Sequence, residues 1–99
     1  METGTCVYML ANQPYGTLYI GVTSDLVRRV CEHRNGFYPG TFTKRYGIKT
    51  LVWYEVHTYG KTAVRREKQL KKWERRWKIR LIERENPTWR DLFYDICEF

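Results

Sequence analysis

The chain has 99 residues, enough for one ordinary hydrophobic core and too few for two. With 42% apolar residues it lies near the globular norm, which excludes wholesale disorder, and its four Trp and eight Tyr can fill a small core economically. A formal charge of +7 and a pI near 9.5 favour an anionic partner, nucleic acid first and a membrane surface second, while no stretch is apolar enough to span a bilayer.

In chain order, Cys6-Val7-Tyr8-Met9-Leu10 is a run of strand formers. Asn12-Gln13-Pro14-Tyr15-Gly16 reads as a turn, with Pro fixing one φ and Gly expected to supply the unusual one. Thr17-Leu18-Tyr19-Ile20-Gly21-Val22 is a second strand-like run, so the pair is expected to form an antiparallel hairpin. Alternation puts Tyr8 and Leu10 on a common face, and likewise Tyr19 and Gly21. Thr23-Ser24-Asp25 offers N-caps for a helix from Leu26 to Asn35, which Asn35-Gly36 would stop. Phe37 to Lys49 is rich in Gly, Pro and Thr and reads as a loop. Thr50-Leu51-Val52-Trp53-Tyr54-Glu55-Val56 carries the strongest strand signal.

From Lys61 the period changes to helical. Ala63, Glu67, Leu70, Glu74, Trp77 and Leu81 fall in one stripe, with Lys and Arg opposite. The run is either one long helix or two, broken near Trp73 to Arg76, and Asn86-Pro87 ends it. Thr88-Trp89-Arg90-Asp91-Leu92 opens with a capping residue and is expected to form a last short turn or helix. The order predicts a single α+β domain over residues 1–99, a three-stranded antiparallel sheet flanked by helices in the sequence β-β-α-β-α-α.

Cys6, Cys31 and Cys97 are odd in number and contain no CxxC pair, so neither a disulfide framework nor a zinc knuckle is expected. Met1-Glu2-Thr3-Gly4 lacks the basic and apolar regions of a signal peptide, and the cytoplasm is the expected compartment.

Four features could carry chemistry. Glu67 sits within an apolar stripe, where a carboxylate costs several kcal/mol unless paired, protonated or bound to a cation. A wet stripe edge or an arginine from another element accounts for it equally well. Arg29 and His33, four residues apart, point the same way from one helix and suit a phosphate and a proton, or simply decorate a solvated face. Tyr8 and Tyr19 face each other across a hairpin, an arrangement that ordinary cross-strand packing also produces. The basic stretch from Lys61 to Arg84, interrupted by Trp73 and Trp77, reads as a phosphate-tracking surface or as a helix laced with i,i+4 ion pairs. The excess of cations favours the first. The basic, hydroxyl-rich loop Thr41-Phe42-Thr43-Lys44-Arg45-Tyr46-Gly47 suits backbone contact and base stacking, or is an ordinary surface loop.

Val7-Tyr8-Met9, then Tyr19-Ile20-Gly21, then Arg29 eight residues later, resembles the GIY-YIG nuclease pattern. Tyr19 to Leu26, Arg28-Arg29-Val30, Glu32-His33, Arg66 to Trp73 and Asn86 to Leu92 are similar to its small stand-alone, UPF0213-like members, and the resemblance covers nearly the whole chain. It implies a DNA endonuclease that hydrolyses phosphodiester bonds with one divalent ion, Mg²⁺ or Mn²⁺, held by Glu67. Arg29 would hold the scissile phosphate, Tyr8 would be the general base with its pKa pushed down by Arg29 and the ion, and Tyr19 would position the nucleophile or phosphate. His33 would share proton transfer. Gly21, Thr43, Lys44, Arg45, Lys71 and Asn86 are the expected substrate-binding residues. With no room for a separate targeting domain, selection of single-stranded or branched DNA is expected, RNA being left open by the residues. Two departures stand out: Cys6-Val7-Tyr8 replaces Gly-Ile-Tyr, and Val22 stands where repair-type relatives carry Lys. The alternative function is a nucleic-acid-binding module that keeps the fold and little catalysis.

Overall fold

Strand-forming side chains set out the hairpin. A computed structural model describes residues 4–36 and 46–97 and places strands at Thr5–Ala11 (β1) and Leu18–Thr23 (β2). A third strand, Thr50–His57 (β3), pairs with the other side of β1, giving an antiparallel sheet in the order β2-β1-β3. The central strand is therefore covered on both faces, and Val7, Tyr8, Met9, Leu10 and Ala11 are all fully buried. Against β2 the register sets Tyr8 opposite Gly21 and Leu10 opposite Tyr19, so all four residues share one face. Against β3 the register slips between Met9 and Leu10, leaving Val52 as an extra residue in a bulge.

Among the described residues four helices flank the sheet: Leu26–Arg34 (α1), Gly60–Lys72 (α2), Arg75–Glu85 (α3) and Phe93–Ile96 (α4). Asp25 caps α1 as its sequence predicts, its carboxylate accepting from the Arg28 amide at 3.2 Å, and Gly36 takes the left-handed φ of 68° just beyond the helix end. Leu26 and Val30 pack with Tyr8, Leu10, Ile48 and Leu51, and Phe93 and Ile96 join them from α4. Ala63, Leu70, Leu81 and Ile82 pack with Val7, Met9, Ile20 and Trp53 in a separate core. Tyr8 and Met9 point to opposite faces of β1, so these cores lie on opposite sides of the sheet.

Three expectations need correction. The turn's left-handed residue is Tyr15, with φ 59°, and not Gly16. Gly16 is required for space instead, since a Cβ there would come within 2.7 Å of the Gln13 side chain. Tyr15 is held in place because its hydroxyl donates to Glu83, its ring lies 5.0 Å from that of Trp89, and Arg75 donates to its carbonyl. Of the two readings left open for the basic run from Lys61, it takes that of two helices, with Trp73 and Glu74 both extended at the expected break. The apolar stripe therefore does not continue: Glu74 is exposed, and Trp77 is 42% exposed. The last helix begins at Phe93, after a turn in which Trp89 takes a φ of 58°, and Thr88 caps nothing.

Candidate active site

The hairpin and α1 bring Tyr8, Tyr19, Arg29 and His33 together. His33 lies one turn beyond Arg29 and is 6% exposed, its Nε2 3.2 Å from the Tyr8 hydroxyl. Ring centroids are 6.2 Å apart for Tyr8 and Tyr19 and 5.2 Å for Tyr19 and His33. Arg29 and Tyr19 both act electrostatically on the Tyr8 hydroxyl, the guanidinium favouring its anion and the second phenol opposing it. One phenolic oxygen thus stands at the meeting point of a second phenol, a guanidinium and an imidazole.

Gly21 is what permits this. A Cβ at Gly21 would stand 2.5 Å from the Tyr8 hydroxyl, so the Tyr8 ring lies directly across the bare backbone of β2. Gly21 is itself buried, and its contact in the structure is this tyrosine, a packing role in place of the substrate contact expected of it.

Burial sets the protonation states. It raises the Tyr8 pKa far above that of an ordinary phenol, with Tyr19 adding to the rise; Arg29 pulls the other way and is outweighed. Tyr8 in the isolated protein is therefore a firmly protonated phenol, contrary to the lowered pKa expected from its arginine neighbour. Burial also lowers His33 below the ordinary imidazole value of 6.5; Arg29 lowers it further, and Glu32 opposes both. In the neutral tautomer protonated on Nδ1, His33 accepts at Nε2 and the Tyr8 hydroxyl donates to it.

Glu32 was not singled out by the sequence reading. It lies 3.2 Å from Arg28 and 3.5 Å from Arg29, and its i,i+3 and i,i+4 spacings were the available signal. It steadies the arginine that faces the cluster.

Glu67 lies on α2, whose Ala63 and Leu70 join the other core, and its carboxylate pairs with Lys71 at 3.1 Å. Its side chain is 16% exposed and that of Lys71 is 54%, so an exposed and mobile partner covers a mostly buried acid. Among the described residues, no three His, Cys, Asp or Glu side chains gather as a metal cage. One hard carboxylate fits an ion such as Mg²⁺, which keeps several waters and takes further oxygens from a phosphate. Lys71 is thus the ion-pair partner of Glu67. Asn86 is buried, its amide donating to the Val52 and Arg90 carbonyls and its Oδ1 accepting from the Arg90 amide, so its hydrogen-bonding capacity is spent on the fold. Thr43, Lys44 and Arg45 lie outside the described residues.

Comparison with known proteins gives the family. The model of the GIY-YIG catalytic domain matches residues 4–80. A UPF0213 protein of Syntrophus aciditrophicus is 37% identical over 71 residues, covering 72% of this chain and 80% of that protein. One from Staphylococcus epidermidis is 34% identical over 68 residues, covering 69% and 82% respectively. A UPF0213 protein from the VLF1-GP41 intergenic region of Autographa californica nuclear polyhedrosis virus is 38% identical over 80 residues, or 79% and 75%. The solution NMR structure of a UPF0213 protein from Bacillus halodurans superposes with a TM-score of 0.55 at 27% identity, covering 89% of this chain and 92% of that one. At the level of the family this is a nuclease-type hydrolase domain that acts on nucleic acid. By these matches the chain belongs to the GIY-YIG family, within its UPF0213 group.

Proposed function

We propose that this protein is a metal-dependent DNA endonuclease that hydrolyses phosphodiester bonds, with a preference for single-stranded or branched substrates. The observation that carries the reading is the 3.2 Å contact between the Tyr8 hydroxyl and Nε2 of a buried His33, with Arg29 at the same hydroxyl. A phenol that donates to a neutral imidazole can pass a proton inward. As an attacking water gives its proton to the Tyr8 oxygen, Tyr8 gives its own to His33, and the phenol ends as it began. The proton acceptor in this scheme is His33, which removes the need for a phenolate that burial disfavours.

The hydroxide adds to phosphorus, the bond to the 3′ oxygen breaks, and the leaving oxygen takes a proton from solvent. Charge gathers on the phosphoryl oxygens during attack. Arg29, steadied by Glu32, meets that charge with a guanidinium already in place. A divalent ion held by Glu67 would supply Lewis-acid stabilisation of the leaving oxygen. Lys71 must then release Glu67, which its exposure allows.

The test is cleavage of labelled single-stranded, duplex and branched DNA with Mg²⁺, with Mn²⁺ and with chelator. Arg29→Ala and Glu67→Gln are each expected to lose roughly 10²–10³ in rate. Salt-sensitive binding by a folded wild-type protein that cuts none of these substrates would leave a nucleic-acid-binding module instead.

A further inference from the structure

A groove of about 260 Å³ opens on α3, lined by Trp73, Trp77, Arg80, Leu81 and Arg84. It follows from spacing: residues 77, 80, 81 and 84 lie on one helical face. Leu81 is 6% exposed and forms the floor, whereas Trp77 is 42% exposed. The two indoles meet edge to face, 6.1 Å apart at 87°, and the Arg66 guanidinium lies 5.3 Å over Trp73. Trp73 is thus braced from behind and holds Trp77 upright beside open solvent.

The surrounding charge is not self-neutralised. Arg66 pairs with Glu55, Lys71 with Glu67 and Arg76 with Glu74, but Arg80 and Arg84 make no ion pair or hydrogen bond among the described residues. An upright indole flanked by two unpaired arginines one turn apart matches a base with phosphates on either side. A base stacked inside a duplex cannot enter such a slot, so the chemistry selects an unpaired base. The groove begins at Trp73, six residues beyond Glu67 in the chain.

We infer that the Trp77–Arg80–Arg84 groove is a stacking subsite for an unpaired base of single-stranded nucleic acid. The inference rests on the nuclease reading for its purpose and on binding alone for its test. The experiment measures affinity, in chelator, for a thymidine homopolymer and for an abasic strand of equal length. Trp77→Ala should weaken binding of the homopolymer about tenfold and leave the abasic strand unaffected, while Trp77→Phe keeps most of the affinity. Arg80→Ala should weaken both strands and reduce the salt slope by about one.

Trp53 and Trp89 are buried, so quenching of wild-type tryptophan fluorescence by the homopolymer, and not by the abasic strand, reports stacking on the groove. Equal homopolymer affinity in a folded Trp77→Ala variant, or no quenching at saturation, overturns the subsite. Cleavage that persists while quenching is absent removes the subsite and leaves the nuclease. Quenching without any cleavage by the wild type does the reverse.

Discussion

Gly21 and Tyr8 are one structural unit, although thirteen positions separate them in the chain. The strand register sets them opposite each other, and the missing Cβ gives the phenol its seat. That seat buries the hydroxyl, burial keeps it protonated, and the proton is then available to His33 Nε2, 3.2 Å away. His33 in turn is buried in its neutral form, with a lowered pKa, so the unfolded chain binds its proton more readily than the folded one. Its contribution to stability is therefore present above about pH 6.5 and lost as pH falls through the folded-state value. Thermal melts from pH 7.5 to 5 should show the wild type losing stability below about 6.5 more steeply than His33→Gln. Parallel curves for the two proteins would remove His33 from this role. Cleavage should decline over the same acidic range, because a protonated imidazole cannot accept.

At the scale of elements, the short α4 is fixed to the sheet by one side chain. Asp91 Oδ1 accepts from the Leu51 amide at 3.2 Å and the Phe93 amide at 3.1 Å, while Oδ2 pairs with Arg34 at 2.6 Å. A single carboxylate thus joins β3, the start of α4 and the end of α1. Asp91→Ala should cost about 2 kcal/mol in denaturant unfolding, because it strands two backbone donors, and Asp91→Asn less, since one acceptor oxygen remains. None of this was legible in the sequence, where Asp91 belonged to a stretch read as a last short turn or helix opening at Thr88. The three strands were legible because β-branched and aromatic runs sit between turn residues, and α1 because Asp25 and Gly36 mark its ends. The break between α2 and α3 contains neither Gly nor Pro, so periodicity allowed one helix or two. Within the cluster, Tyr8, Tyr19, Arg29 and His33 were legible from motif and spacing. The direction of the Tyr8 shift was not, because it depends on how completely two layers cover β1.

Over the whole molecule the charge is uneven in a useful way. Most cations of α1 and the tail are paired, as in Arg28–Glu32, Arg34–Asp91 and Arg90–Asp95. Those of the basic helices are mostly not: Lys61, Arg65, Lys68, Lys72, Arg80 and Arg84 have no ionic partner among the described residues. The one i,i+4 pair on α2 is Glu67–Lys71, so the alternative of a helix laced with such pairs does not describe this surface. Among the described residues no helix is long and apolar enough to cross a membrane. If about five of these cations meet phosphates, the affinity for single strands should fall about a hundredfold between 50 and 200 mM salt. A titration series across that range checks it, and a flat response would show that these helices do not meet the backbone.

The strand made first occupies the middle of the sheet. β1 finds one neighbour at once, across a short turn, but its other edge waits for β3, with residues 12–49 intervening. Tyr8, Tyr19, Arg29 and His33 all leave the ribosome before that edge is closed, and Glu67 follows later still. Synthesis therefore delivers the groups proposed to handle the proton and the phosphate from one contiguous segment, and the carboxylate proposed to hold the ion from another. A chain caught halfway through translation already holds the phenols and the imidazole, yet lacks the acid that would complete a cutting centre. The long-range closure of β1 against β3 is the slow, high-contact-order step that joins the two halves.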